Sequence, residues 1–151
     1  MKLHRDAHGR LVLALADGTV HEGVLPVRAF PLSAPDEGLS LVGPDGRERQ
    51  WVDRLDELPA ESRALVDEFL AAQEFMPEIL ALREVSTFST PSTWQVDTDR
   101  GPTQFVLKGE EDIRRLPGGG LLVTDSHGIG YRMREPRTLD RRSRRLLERF
   151  L

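Results

Sequence analysis

The clearest pattern in the chain is a strict alternation of apolar and polar positions in two neighbouring stretches. Residues 94–98 and 103–107 each place apolar side chains or threonine at every second position. A period of two predicts half-buried β-strands. Gly101 lies between the stretches and can adopt the positive φ of a tight hairpin turn. Trp94 and Phe105 are large enough to anchor a core on the buried face of this hairpin.

The first third of the chain also predicts short strands joined by tight turns. Apolar strand candidates cover residues 11–15, 19–24, 27–30, 39–42 and 49–52. Asp17-Gly18 and Gly43-Pro44-Asp45-Gly46 are typical turn sequences between them. Four or five short antiparallel strands with small connections favour a small curled sheet or a partial barrel.

Helical spacing appears in three places. Apolar residues recur every three or four positions from Leu58 to Leu70, which predicts a mid-chain helix that ends near Phe75 because Pro77 disfavours helical geometry before it. Residues 110–116 place acids first and arginines last, an order that predicts a short helix. A C-terminal helix is expected over 139–150. Further strands are predicted at 82–88, 121–124 and 129–133.

These elements predict an α+β fold of antiparallel hairpins, with small sheets or a partial barrel and three helices. A chain of 151 residues fits a single domain, 1–151, or two lobes. The second arrangement would divide the chain into an all-β lobe, 1–55, and an α+β lobe, 56–151. No internal repeat is evident in the sequence.

The composition indicates in which compartment the protein works. The chain has no cysteine, which excludes disulfides and thiolate chemistry and fits a reducing cytoplasm. The apolar run at 11–16 is too short and too charged at its flanks for a secretory signal, and no apolar run approaches the length of a membrane span. We therefore expect a cytoplasmic protein without direct membrane insertion.

Charge is distributed unevenly. Residues 132–149 contain eight arginines and three acids, a net charge of +5, whereas the whole chain has a net charge of −4. An acidic body with a basic C-terminal segment favours self-association, such as a homodimer, or a charged partner; a solvated helix face is the simpler interpretation. The acidic balance and the lack of a nucleic-acid-binding motif argue against nucleic acid.

Two groups of residues have chemical interest. Asp125, Ser126 and His127 combine a carboxylate, a hydroxyl and an imidazole, but adjacent residues in a hairpin turn rarely converge as a catalytic triad needs, so a structural turn is expected. The four histidines are scattered, and we expect neither a metal site nor a cofactor.

The second group is acidic and could bind a guanidinium or ammonium group. We take as candidate ligand- or partner-binding residues the acids near the predicted hairpin, its turn arginine and the turn histidine: Asp97, Asp99, Arg100, Glu110, Glu111, Asp112 and His127. The alternative is structural, because acids also stabilise the start of a helix. We predict no catalytic residue.

Several segments together resemble one family. Their order and spacing carry the resemblance, at residues 28–38, 74–79, 90–94, 97–101, 105–114 and 125–128. The chain resembles the small bacterial proteins associated with cyanophycin metabolism, a family of unknown function. The resemblance implies a genetic context with the enzymes of cyanophycin, a polymer of aspartate with arginine side branches, and with an ATP-binding-cassette transporter.

Two functions follow as expectations. The first is a non-catalytic accessory protein that binds a partner protein, such as the associated transporter or the cyanophycin enzymes, or a cyanophycin-derived ligand such as β-aspartyl-arginine. The second is a small hydrolase or isomerase acting on cyanophycin or its dipeptide. We expect the binding role, because the sequence contains no convincing catalytic set.

Overall fold

The computed structural model describes all residues from Met1 to Leu151, and the chain divides into two compact units, Met1–Glu74 and Phe75–Leu151. The predicted α+β class with small antiparallel sheets is confirmed, and no sheet closes into a barrel. The boundary falls at the end of the mid-chain helix, so this helix belongs to the same unit as the N-terminal strands.

The first unit contains six strands and one helix. Strands β1 (Lys2–Arg5), β2 (Leu11–Ala14) and β3 (Val20–Glu22) form one antiparallel sheet, and β4 (Leu25–Arg28), β5 (Glu37–Val42) and β6 (Glu48–Arg54) form another. A 3₁₀ turn (Leu55–Glu57) and helix α1 (Ala60–Glu74) follow. The β1 strand was not predicted, since Leu3 is its one buried side chain and charged residues surround it.

The second unit contains the hairpin that the sequence predicts most clearly. Strands β7 (Ile79–Val85), β8 (Ser92–Thr98) and β9 (Gly101–Leu107) form a sheet, and Gly101 has a φ of 104° at the hairpin turn. Strands β10 (Ile113–Arg115), β11 (Leu121–Thr124) and β12 (Gly130–Met133) form a second sheet. A 3₁₀ turn (Pro136–Thr138) leads into helix α2 (Arg141–Glu148).

The predicted helix at 110–116 is wrong. Only Glu110–Asp112 form a 3₁₀ turn, and the next three residues become strand β10. Ile113 pairs with Val123 and is buried, so pairing with the neighbouring strand overrides the local helical preference. The strand predicted at 82–88 begins earlier, at Ile79, because that residue pairs with Thr98 across the sheet.

An aromatic cluster forms the centre of the second unit. The Trp94 ring is fully buried, with its centroid 5.6 Å from Phe105 and 4.9 Å from Phe150. Phe105 also stacks on Tyr131 at 4.5 Å. These contacts join the hairpin, the last sheet and the C-terminal helix segment, and such ring pairs add stabilisation beyond the area that they bury.

Both units repeat one arrangement, although no repeat is evident in the sequence. Each contains two three-stranded sheets followed by a 3₁₀ turn and a helix. In each, a buried serine of the helix accepts a hydrogen bond from the first strand: Ser62 Oγ from Leu3 N at 3.2 Å, and Ser143 Oγ from Leu82 N at 2.9 Å. The structure therefore consists of two units with the same order of strands and α-helix and the same helix-to-strand contact, although only the second has a 3₁₀ turn between its sheets.

Candidate functional site

Two segments of the second unit meet beside its first strand. The Asp99 carboxylate accepts a hydrogen bond from Glu78 N at 2.9 Å, and Asp99 N donates to Glu78 O at 3.0 Å. The Arg100 guanidinium donates to Phe75 O. The hairpin turn thus holds the segment that leads into β7, and two of the predicted site residues, Asp99 and Arg100, converge there.

This segment also lies along strand β12. Glu78 forms a parallel bridge with Arg132, and Arg132 N donates to Pro77 O at 2.9 Å. Met76 lies against Gly130, where an added Cβ would be only 2.8 Å from its terminal methyl group. The two sheets of the second unit therefore meet at Glu78.

Glu78 is the most unusual carboxylate in this region. Its side chain is 19% exposed, and Oε1 accepts from Arg134 N at 3.3 Å and lies 3.6 Å from Arg134 Nε. Its Oε2 is buried and accepts no hydrogen bond. Burial raises the pKa of the Glu78 carboxyl above its ordinary value, although Arg132 and Arg134 partly oppose the shift. A carboxyl whose pKa is raised by burial is a candidate for a binding role.

A cavity of about 290 Å³ lies beside Glu78. Its lining combines apolar side chains with two carboxylates, one guanidinium and one hydroxyl: Glu78, Ile79, Leu80, Met133, Arg134, Glu135, Thr138 and Leu139. Glu135 is exposed and forms no ion pair, and Arg134 is 66% exposed. The cavity is lined by equal numbers of apolar and polar side chains, and convergent polar groups on a partly apolar surface are a feature of small-ligand sites.

The other predicted acids do not join this site. Asp97 forms an ion pair with Arg83 on the neighbouring strand, and this contact raises the pKa of Arg83. Glu110, Glu111 and Asp112 follow the opposite end of β9. Asp97 pairs with Pro102 near the start of β9, and Leu107 at the other end of the strand is five steps away, roughly 16 Å along it. The structure therefore does not form one acidic patch from these five residues.

The turn at 125–129 is built as a structural turn. Asp125 Oδ1 accepts from the backbone N–H groups of His127 and Ile129, both at 2.9 Å. Ser126 N donates to Val106 O, which joins the turn to β9. His127 is exposed at the tip, and the buried Asp125 carboxylate is occupied by backbone groups and does not orient the imidazole. This agrees with the structural interpretation of the turn and places His127 away from a triad geometry.

Sequence reasoning missed Glu78, Arg134 and the cavity. Glu78 follows Pro77 at the start of an apolar run, and its burial depends on pairing with β12, which no local pattern reveals. The available local signal was a glutamate placed between Pro77 and the first residue of strand β7.

Comparison with known families matches residues 21–150 to a family model described as a domain of unknown function, DUF1854. The chain belongs to this family. No curated protein and no solved structure matches the chain. No cluster of three or more metal-ligating side chains has a geometry that could hold an ion, and neither helix is long and apolar enough to cross a membrane.

Proposed function

We propose that this DUF1854 protein is a non-catalytic accessory protein that binds a small ligand carrying both a guanidinium and a carboxylate. The single observation that carries the proposal is the partly buried Glu78 carboxylate, which lines one cavity together with Arg134 and Glu135. The cavity lining thus contains fixed groups of both signs on a partly apolar surface.

The charges of the lining determine the class of ligand. A guanidinium forms short, forked hydrogen bonds with carboxylates, so Glu78 and the free Glu135 are suitable acceptors for an arginine-like group. The exposed guanidinium of Arg134 is a suitable donor to a ligand carboxylate. A ligand with both charges matches both signs of the lining.

The resemblance to proteins associated with cyanophycin metabolism suggests which ligand of this class is relevant. β-Aspartyl-arginine, the repeating unit of cyanophycin, carries both groups. We propose a cytoplasmic protein that binds this dipeptide or the polymer and that delivers it to, or senses it for, a partner such as the associated transporter or the cyanophycin enzymes.

The test is a calorimetric titration of the purified chain with β-aspartyl-arginine and with soluble cyanophycin, followed by product analysis of the same samples. Binding with chemically unchanged ligand supports the proposal. Changed ligand would instead support the hydrolase or isomerase hypothesis. Heat unaffected by Glu78→Ala would show that the ligand binds elsewhere.

Glu84→Gln is a matched control for this titration. Glu84 is an exposed acid on the same strand, β7, and it does not line the cavity. Its neutralisation changes the net charge of the chain without touching the site. The control variant should therefore bind like the wild type, whereas Glu78→Ala should weaken binding by about tenfold or more, as expected for loss of a partly buried charge-assisted contact.

A further inference from the structure

Helix α2 presents a row of arginines without ion-pair partners. Arg141, Arg144 and Arg145 are exposed, and none lies within ion-pair distance of a carboxylate. Arg141 and Arg145 are four positions apart, so their Cβ atoms are about 5–6 Å apart on one face. Like charges at this spacing repel and destabilise the helix. These three residues form the α2 arginine face.

The other arginines of this helix region already have local roles. Arg142 Nε donates to Arg83 O at 3.2 Å, and the Arg149 guanidinium lies 4.2 Å from the ring centroid of Phe88. Most exposed arginines of the first unit, such as Arg10 and Arg54, are paired with acids. The α2 arginine face is therefore a concentration of exposed positive charge without ion pairs, although Asp140 and Glu148 flank it in the same helix region.

We propose that the α2 arginine face binds an acidic segment of a partner protein, most simply a helix with carboxylates four positions apart. Arginine forms forked contacts with carboxylates, and a partner helix with this spacing would match the spacing of Arg141 and Arg145. This inference rests on the proposed accessory role in one respect, because both require a protein partner. It does not depend on a ligand in the Glu78 cavity.

The surface is less suited to a lipid bilayer. An interfacial helix inserts an apolar face between the headgroups. The apolar side of α2, at Leu146 and Leu147, packs instead against the core of the second unit, and the adjoining Phe150 is buried in the same core. The outward face contributes charge without apolar contact area.

Nucleic acid is disfavoured by the charge of the rest of the chain. Residues 1–74 contain eight basic and fourteen acidic side chains, a net charge of −6, whereas residues 75–151 have a net charge of +2. A duplex carries dense charge along its whole length, so an acidic body would be repelled wherever it approached the polymer. A short acidic protein segment needs only the local face.

The experiment measures fluorescence anisotropy of a labelled twenty-residue helical peptide with glutamates four positions apart. The full chain is titrated into this probe at low and moderate salt, and the same assay is run with a labelled DNA duplex; binding to phosphatidylserine vesicles is measured by co-sedimentation. We expect the peptide to bind more tightly than the DNA or the vesicles, with affinity that falls as salt rises.

A charge-matched pair of triple variants locates the binding. Arg141→Gln/Arg144→Gln/Arg145→Gln should weaken peptide binding about tenfold, given the modest contribution of each exposed pair. The control Arg47→Gln/Lys108→Gln/Arg115→Gln removes the same charge at exposed sites elsewhere and should bind like the wild type. Equal effects of the two triples, tighter binding of DNA or vesicles, or no binding of the peptide would overturn the proposal.

Discussion

The buried serine that joins helix α2 to strand β7 offers a sharp test of how the second unit is held together. Ser143 is fully buried, and its Oγ accepts from Leu82 N at 2.9 Å and contacts Leu82 O at 3.2 Å. The Asp140 carboxylate, the N-cap of the helix, also bonds this hydroxyl and accepts from Ser143 N at 3.4 Å. Ser143→Ala removes the hydroxyl and leaves the backbone N–H of Leu82 without an acceptor in the core.

The magnitude follows from the burial of that group. A buried hydrogen-bond donor without a partner costs about 1–3 kcal/mol, and the substitution only removes the hydroxyl oxygen, so it causes no clash. We therefore expect Ser143→Ala to lower the free energy of unfolding by about 2 kcal/mol. Urea denaturation followed by tryptophan fluorescence measures this loss, because Trp94 lies in the same core.

Ser62→Ala is the matched comparison in the first unit. Ser62 is also buried, but its hydroxyl accepts one longer hydrogen bond, 3.2 Å from Leu3 N. We expect a smaller loss, about 1 kcal/mol. A loss below about 0.5 kcal/mol for Ser143→Ala, or a larger loss for Ser62→Ala, would refute the reasoning, since surface-like substitutions fall in that range.

Three further predictions concern other sites. Gly38 and Gly9 have nearly equal φ values of 76° and 79°, but a Cβ at Gly38 would be 3.0–3.1 Å from neighbouring side chains, whereas a Cβ at Gly9 would contact nothing. Gly38→Ala should therefore destabilise the chain more than Gly9→Ala in thermal melts, by about 1–3 kcal/mol. Because the pKa of Glu78 is raised in the native state, the native state binds a proton there more tightly than the unfolded state does. The wild type should therefore lose stability relative to Glu78→Gln as the pH rises above 4.5, the ordinary pKa of this carboxyl. A difference in free energy of unfolding between the two proteins that is the same at pH 4 and pH 7 in urea titrations would contradict this. Asp125→Ala should destabilise the chain by about 1–3 kcal/mol in thermal melts, whereas Asp125→Asn keeps the acceptor and should cost less; equal losses would count against the turn geometry.

Much of the fold could be predicted because its signals are local. The β8–β9 hairpin follows from alternation around Trp94 and from Gly101 at the turn, and helix α1 ends at Glu74, close to the position that Pro77 predicts. Strand β10 could not be predicted, since its conformation depends on pairing with β11 and not on its own charged residues.

The candidate site shows the same limit. The predicted site residues Asp99 and Arg100 bond backbone groups of the segment before β7, and neither lines the cavity. Glu110 lies beyond the opposite end of β9, a separation that depends on strand register rather than on sequence distance. The burial of Glu78 depends on pairing with Arg132 in the last sheet. Long-range pairing therefore determines which of the charged residues share a site.

The most direct test of the proposed binding role is a titration of ¹⁵N-labelled chain with β-aspartyl-arginine followed by backbone amide chemical shifts. The proposal predicts saturable shifts concentrated at Glu78, Leu80, Arg134 and Thr138, the residues around the cavity, with unchanged ligand signals. Shifts at a different location, or no shifts at millimolar ligand, would contradict a ligand site at Glu78.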